Sequence, residues 1–127
     1  MSNQNQQSDE RRRFSRIPFS AAAHLNSHKG DLHLNCHVID ISLVGLLITT
    51  PEGWLGEMSD QYTIDLLLDN GQLVIKMDAE VAHIADDTIG FHCKHISLDS
   101  ISHLKRLVEL NLGDEALLHR ELAALLL

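Results

Sequence analysis

The chain has 127 residues, 44% hydrophobic and 22% charged, enough for one domain with a single sizeable core and too few for two. A formal charge of −8 with only 4% aromatic residues argues against nucleic-acid binding, which needs a long basic face or a row of stacking rings. No run approaches the roughly 18 to 20 consecutive apolar residues of a membrane span, and residues 1–8 lack the apolar centre of a signal peptide, so the chain reads as cytosolic with no membrane insertion.

In chain order, the first feature is a concentration of positive charge. Arg11, Arg12, Arg13 and Arg16 are four of the six arginines; positions 1–16 carry a formal +2 and the remainder −10. A cluster this small suits one small anion. Its planar forks meet phosphate or the O6/N7 edge of guanine bidentately and stack flat on a base. Taken alone, such a run also fits a solvated tail. The Gln/Asn/Ser-rich residues before it make residues 1–16 read as a flexible arm.

Past Pro18, β-like runs are predicted over 20–26, 32–42, 44–50, 62–68, 72–85 and 88–96, separated by turn signals. Leu34, Cys36 and Val38 alternate with His33, Asn35 and His37, a period of two with one wet face. Asn70-Gly71 predicts a hairpin. After Ser97 the period becomes helical, with Ile101, Leu104, Leu107 and Val108 on one face, Asp99 as the expected N-cap and Gly113 as the stop. Asp114 can cap a second helix whose Leu117, Leu118, Leu122, Leu125 and Leu126 form an apolar stripe, expected to pack on the open end or side of the barrel, with a dimer interface as the lesser alternative. Six short antiparallel strands imply a small barrel covered by the terminal helices: a mainly β fold with α at its C-terminus, divided as arm 1–16, barrel 17–97 and helices 98–127.

A second polar element stands where one strand gives way to the next. In Asp40-Ile41-Ser42-Leu43-Val44-Gly45, Asp40 and Ser42 can point to one side while Gly45 permits close backbone approach. A carboxylate can accept from guanine N1–H and its exocyclic amine, hydrogen bonds that adenine does not offer. The same hexapeptide also fits an ordinary serine-capped turn.

Together these elements carry a resemblance. Arg12-x-x-x-Arg16, followed 24 residues later by Asp40-x-Ser42-x-x-Gly45 in a small β-rich chain, resembles the PilZ domain, a family of bacterial receptors for the second messenger cyclic di-GMP. The likeness spans nearly the whole chain. It implies a six-stranded antiparallel β-barrel, a flexible N-terminal arm and a ligand between them. By position, Arg12 and Arg16 would grip phosphate and guanine, Asp40 and Ser42 would hydrogen-bond the base, and Gly45 would fit its strand start against the ligand. Arg11 matches a position at which an additional arginine accompanies binding of a mutually stacked nucleotide dimer, so two ligands per chain are expected. Arg13 adds a phosphate contact or is solvated. The arm would order on binding and present a new surface to an unidentified downstream protein.

His83 is a further candidate ligand-binding residue, because its strand should lie on the barrel surface and an imidazole can stack on a base. Metal binding is not expected: because neighbours alternate faces in a strand, neither His33, Cys36 and His37 nor His92, Cys93 and His95 present three ligands to one point, which leaves only convergence of the two clusters across strands. Both cysteines read as reduced core thiols. No nucleophile–base pair or phosphate-cradling glycine loop is present, so the chain reads as a non-enzyme. The alternative is a structural adaptor docking through its leucine-rich C-terminal helices.

Overall fold

The computed structural model describes residues 14–125. Strands β1 (Ile17–Ser27), β2 (His33–Ser42), β3 (Gly45–Thr49), β4 (Gln61–Leu68), β5 (Leu73–Ile84) and β6 (Thr88–Ile96) precede helices α1 (Leu98–Leu112) and α2 (Glu115–Leu125). All neighbouring strands are antiparallel, and the order β1-β2-β3-β6-β5-β4 closes into a barrel as β4 returns to β1. Among the described strands, closure gives every one a neighbour on both sides.

The period of two fills the interior. Ala23, Leu25, Val38, Ile41, Ile48, Ile64, Leu66, Ile75, Met77, Ile89 and Phe91 are buried, each larger side chain among them contributing about 1.5–3 kcal/mol relative to exposure. On β2, Leu34 and Cys36 are half-buried and Val38 buried, while His33, Asn35 and His37 are exposed, as the alternation requires. Trp54 reaches in from the β3–β4 loop to stack on Tyr62 at 5.4 Å and meet Phe91 edge-on at 6.3 Å.

Helix α1 packs against β5 and β1, inserting Leu104 and Val108, and the Oγ of Ser100 accepts from the Lys76 amide at 3.1 Å. Helix α2 packs on α1 through Leu118. Gly113 ends α1 with φ 69°, and Asp114 caps α2 by accepting from the Leu117 amide at 3.0 Å.

Four expectations need correction. The α1 N-cap is Ser97, whose Oγ accepts from the Ser100 amide at 3.1 Å, while Asp99 lies in the first turn, where its charge complements the helix dipole. The β4–β5 turn is longer than Asn-Gly: Asp69, Asn70 and Gly71 are all left-handed, and the Gln72 amide donates to the Asp69 carbonyl at 3.1 Å. Strand β1 begins at Ile17 rather than residue 20, since Pro18 needs only an extended backbone with no ladder donor there. Finally, Phe14, Ser15 and Arg16, assigned to the arm, are packed: Phe14 joins the core, Ser15 bonds Glu121 and Arg16 bonds Asp40. Arg11, Arg12, Arg13 and Leu126 lie outside the described residues.

Candidate functional site

Two one-residue bulges decide which side chains reach the outer face of the barrel. Val38 pairs with Ile48 on β3, but Asp40 pairs with Leu47, so Ile39 is an extra residue on β2. Strict alternation from buried Val38 would send Asp40 inward; the bulge turns it out and returns Ile41 to the core. On β5, Val81 pairs with Phe91 and His83 with Gly90, leaving Ala82 extra. Buried Val81 is thus followed by an exposed His83 rather than an inward one.

The registers join these residues into a lateral row. Asp40 pairs with Leu47, Leu47 with Gly90, and Gly90 with His83. A groove of about 250 Å³ runs over this face, lined by Phe14, Arg16, Asp40, Ser42, Gly45 and His83, with Leu47, Gly90 and His92 among its other walls. Five predicted residues, Arg16, Asp40, Ser42, Gly45 and His83, therefore surround one concavity.

At its mouth, Arg16 Nη2 donates to Asp40 Oδ2 at 2.8 Å and Nε to Oδ1 at 3.4 Å, a two-pronged contact from β2 to the residue just before β1. The Arg16 side chain is 42% exposed and Asp40 18%, so the pair lies at the solvent boundary. Ser42 is more enclosed. Its Oγ accepts from the Val44 amide at 3.2 Å and donates to the Gly45 carbonyl at 3.5 Å, which makes it the cap of the β2–β3 turn as well as a groove residue. A Cβ on Gly45 would lie 2.0 Å from the Phe91 carbonyl oxygen, so the close approach that glycine permits here is between β3 and β6. At Gly90 a Cβ would come within 3.2 Å of the His83 Cβ; its absence keeps the floor low between Leu47 and His83.

His92 and Gly90 were missed because nothing in one strand's alternation tells which residue of another strand lies beside it. Glu121 was also missed, although a signal existed: it falls at helical spacing from Leu117, Leu118 and Leu125, inside the apolar stripe. In the structure it is 2% exposed and accepts from Ser15 N at 2.8 Å and Ser15 Oγ at 2.6 Å.

Several other ligand-type side chains have partners elsewhere on the barrel. His33 Nδ1 bonds Asn26 at 2.6 Å and His37 Nε2 bonds Ser20 at 2.9 Å. Burial pushes the Cys36 thiol up to about 12 and the Cys93 thiol up to about 11, the latter with help from Asp78, so that both are protonated at neutral pH. Among the described residues, no group of three His, Cys, Asp or Glu stands within reach of one metal ion, and no helix is long and apolar enough to cross a membrane.

The barrel has counterparts of known structure. It is similar to the PilZ domain of YcgR from Escherichia coli, solved with c-di-GMP (TM-score 0.66, 18% identity, 80% of this chain and 91% of that one). It is also similar to MrkH of K. pneumonia, solved as a c-di-GMP complex (TM-score 0.66, 21% identity, 84% and 53%), and to the PilZ domain of CeSA from a cellulose-synthesizing bacterium (TM-score 0.60, 16% identity, 78% and 96%). The matched region of MrkH is thus about half of that chain. At these identities the likeness is one of fold. The family model of the PilZ domain matches residues 10–110, from the arginine cluster through most of α1. On that match, with its closed six-stranded barrel, the chain belongs to the PilZ domain family.

Proposed function

We propose that the chain is a receptor for cyclic di-GMP, which binds in the groove over β2, β3, β6 and β5. The observation that carries this reading is the convergence of Arg16, Asp40 and Ser42 on one concavity of a PilZ barrel. The c-di-GMP complexes of YcgR and MrkH, which share the fold, support the choice of ligand.

The Arg16–Asp40 pair suggests how the site exchanges partners. An ion pair this exposed is worth about 0–1 kcal/mol, so it is cheap to open. A phosphate of the ligand takes the guanidinium fork, and the released Asp40 carboxylate accepts from guanine N1–H and its exocyclic amine. His83, at the far end of the row, offers an imidazole face to a second base. Arg11, Arg12 and Arg13 supply further forks and the arm orders over the ligand. If those residues begin free, ordering the backbone of about ten costs roughly 1–2 kcal/mol each. Several charge-assisted bonds of about 1.5–3 kcal/mol must offset that. The surface of arm, nucleotide and barrel then faces a downstream protein.

Isothermal titration with cyclic di-GMP at physiological salt, with GMP and GTP as controls, tests the reading. Saturation by cyclic di-GMP alone, near two per chain and falling to one in Arg11→Ala, is expected. Absence of heat at several temperatures, from folded protein free of carried-over nucleotide, would overturn the receptor and leave an adaptor acting through its C-terminal helices.

A further inference from the structure

We propose that Glu121 is a positioning residue for the groove: from helix α2 it clamps Ser15 and so sets the point from which Arg16 reaches Asp40. Its effect on ligand affinity rests on the receptor reading above.

Both oxygens of the Glu121 carboxylate are engaged by the same residue, one by the Ser15 amide at 2.8 Å and one by the Ser15 hydroxyl at 2.6 Å. Neighbouring pegs hold the segment in register, because Phe14 and Ile17 are both buried in the core. Arg16 stands between the clamp and the second peg, and its side chain turns the other way, into the groove. Three anchors thus hold four consecutive residues, and the one side chain left at the surface is the guanidinium that meets Asp40.

Packing alone does not account for a glutamate here. Leu117, Leu118 and Leu125 stand one turn away from position 121 on the helix, and a leucine there would continue the stripe without desolvating a carboxylate. Leucine could not accept two hydrogen bonds from a serine 106 residues away in sequence. The carboxylate therefore ties the last helix to the root of the arginine cluster. Since coupling between two sites is reciprocal, occupancy of the groove should in turn tighten the Ser15–Glu121 contact.

Two readouts test this, one of them independent of nucleotide. Amide exchange followed by NMR in the free protein should show Ser15 protected in the parent and exchanging at least about tenfold faster in Glu121→Ala. Titration with cyclic di-GMP should show affinity reduced about tenfold in Glu121→Ala and less in Glu121→Gln, whose amide keeps one acceptor and offers the Ser15 hydroxyl a donor. Ser15→Ala should also weaken binding, and the Ser15→Ala/Glu121→Ala double variant should bind no worse than Glu121→Ala, because both changes remove the same contact. Leu122→Ala loosens α2 without touching the clamp and should lower the melting temperature while leaving affinity near the parent's. Unchanged Ser15 exchange in Glu121→Ala would overturn the clamp. Affinity losses that merely track melting temperature, equally in Leu122→Ala and Glu121→Ala, would overturn the positioning role. If the parent itself fails to bind cyclic di-GMP, the receptor reading falls and the exchange rates alone decide the clamp.

Discussion

Asp40 and His83 stand at the two ends of one lateral row across four strands of the barrel, and each is turned outward by a single extra residue beside it, Ile39 in β2 and Ala82 in β5. Three strand spacings separate them, on the order of 14 Å along the sheet. Leu47 and Gly90 form the floor between. The groove is therefore a product of register: shift either strand by one residue and a polar wall becomes an inward-pointing one.

Deletion of Ala82 restores strict alternation at the end of β5 and points His83 at the interior. We expect a loss of about 1–3 kcal/mol for desolvating an imidazole without a partner, read as a lower denaturant midpoint at unchanged slope. His83→Ala keeps the bulge and, at an exposed position, should stay within about 0.5 kcal/mol of the parent while weakening cyclic di-GMP binding. Equal stability of the two variants would show that the bulge does not orient His83. Unchanged affinity in His83→Ala would remove it from the site.

Gly45→Ala forces a methyl group to within 2.0 Å of the Phe91 carbonyl oxygen, a backbone atom that cannot swing away. Strands β3 and β6 must separate, at a cost of at least about 2 kcal/mol in chemical denaturation. A variant as stable as the parent would mean that the two strands part more readily than their pairing suggests.

Arg16→Ala should abolish detectable binding or weaken it at least about a hundredfold, since two charge-assisted bonds to the ligand are lost. Its unfolding free energy should fall by no more than about 1 kcal/mol, because the Arg16–Asp40 pair is exposed. Circular dichroism and titration on the same sample separate the two effects. Normal binding by a folded Arg16→Ala protein would exclude the exchange mechanism.

The thiols give a pH signature. Folding raises Cys36 to about 12 and Cys93 to about 11, so above the ordinary thiol value of about 8.5 the folded state holds protons that the unfolded chain releases. Stability from this source is complete below about pH 8.5 and declines as pH rises through the folded values. At pH 8 iodoacetamide should modify native Cys36 about a thousandfold more slowly than the unfolded chain's thiols, as counted by mass spectrometry. Rapid native labelling would show that these half-buried thiols open to solvent without unfolding.

The amino-acid sequence by itself determined the number and kind of elements and both halves of the motif. Hydrophobic alternation, the Asn70-Gly71 turn signal and the Asp114 cap are local signals, and local signals act over a few residues. Arginine forks, a carboxylate and a glycine at a characteristic spacing were legible for the same reason: their chemistry lies in the residue types. Tertiary structure alone decided which of these side chains share a surface. The bulges at Ile39 and Ala82 reverse the inward and outward sense of the next residues along each strand, and they are set by how β2 and β5 pair with neighbours far away in the chain. His92 enters the groove only because β6 lies beside β3, and Glu121 meets Ser15 only because α2 folds back over the start of the barrel. Period two records a strand's own two faces; the residue across from it depends on closing a barrel of six strands, a property of the whole chain.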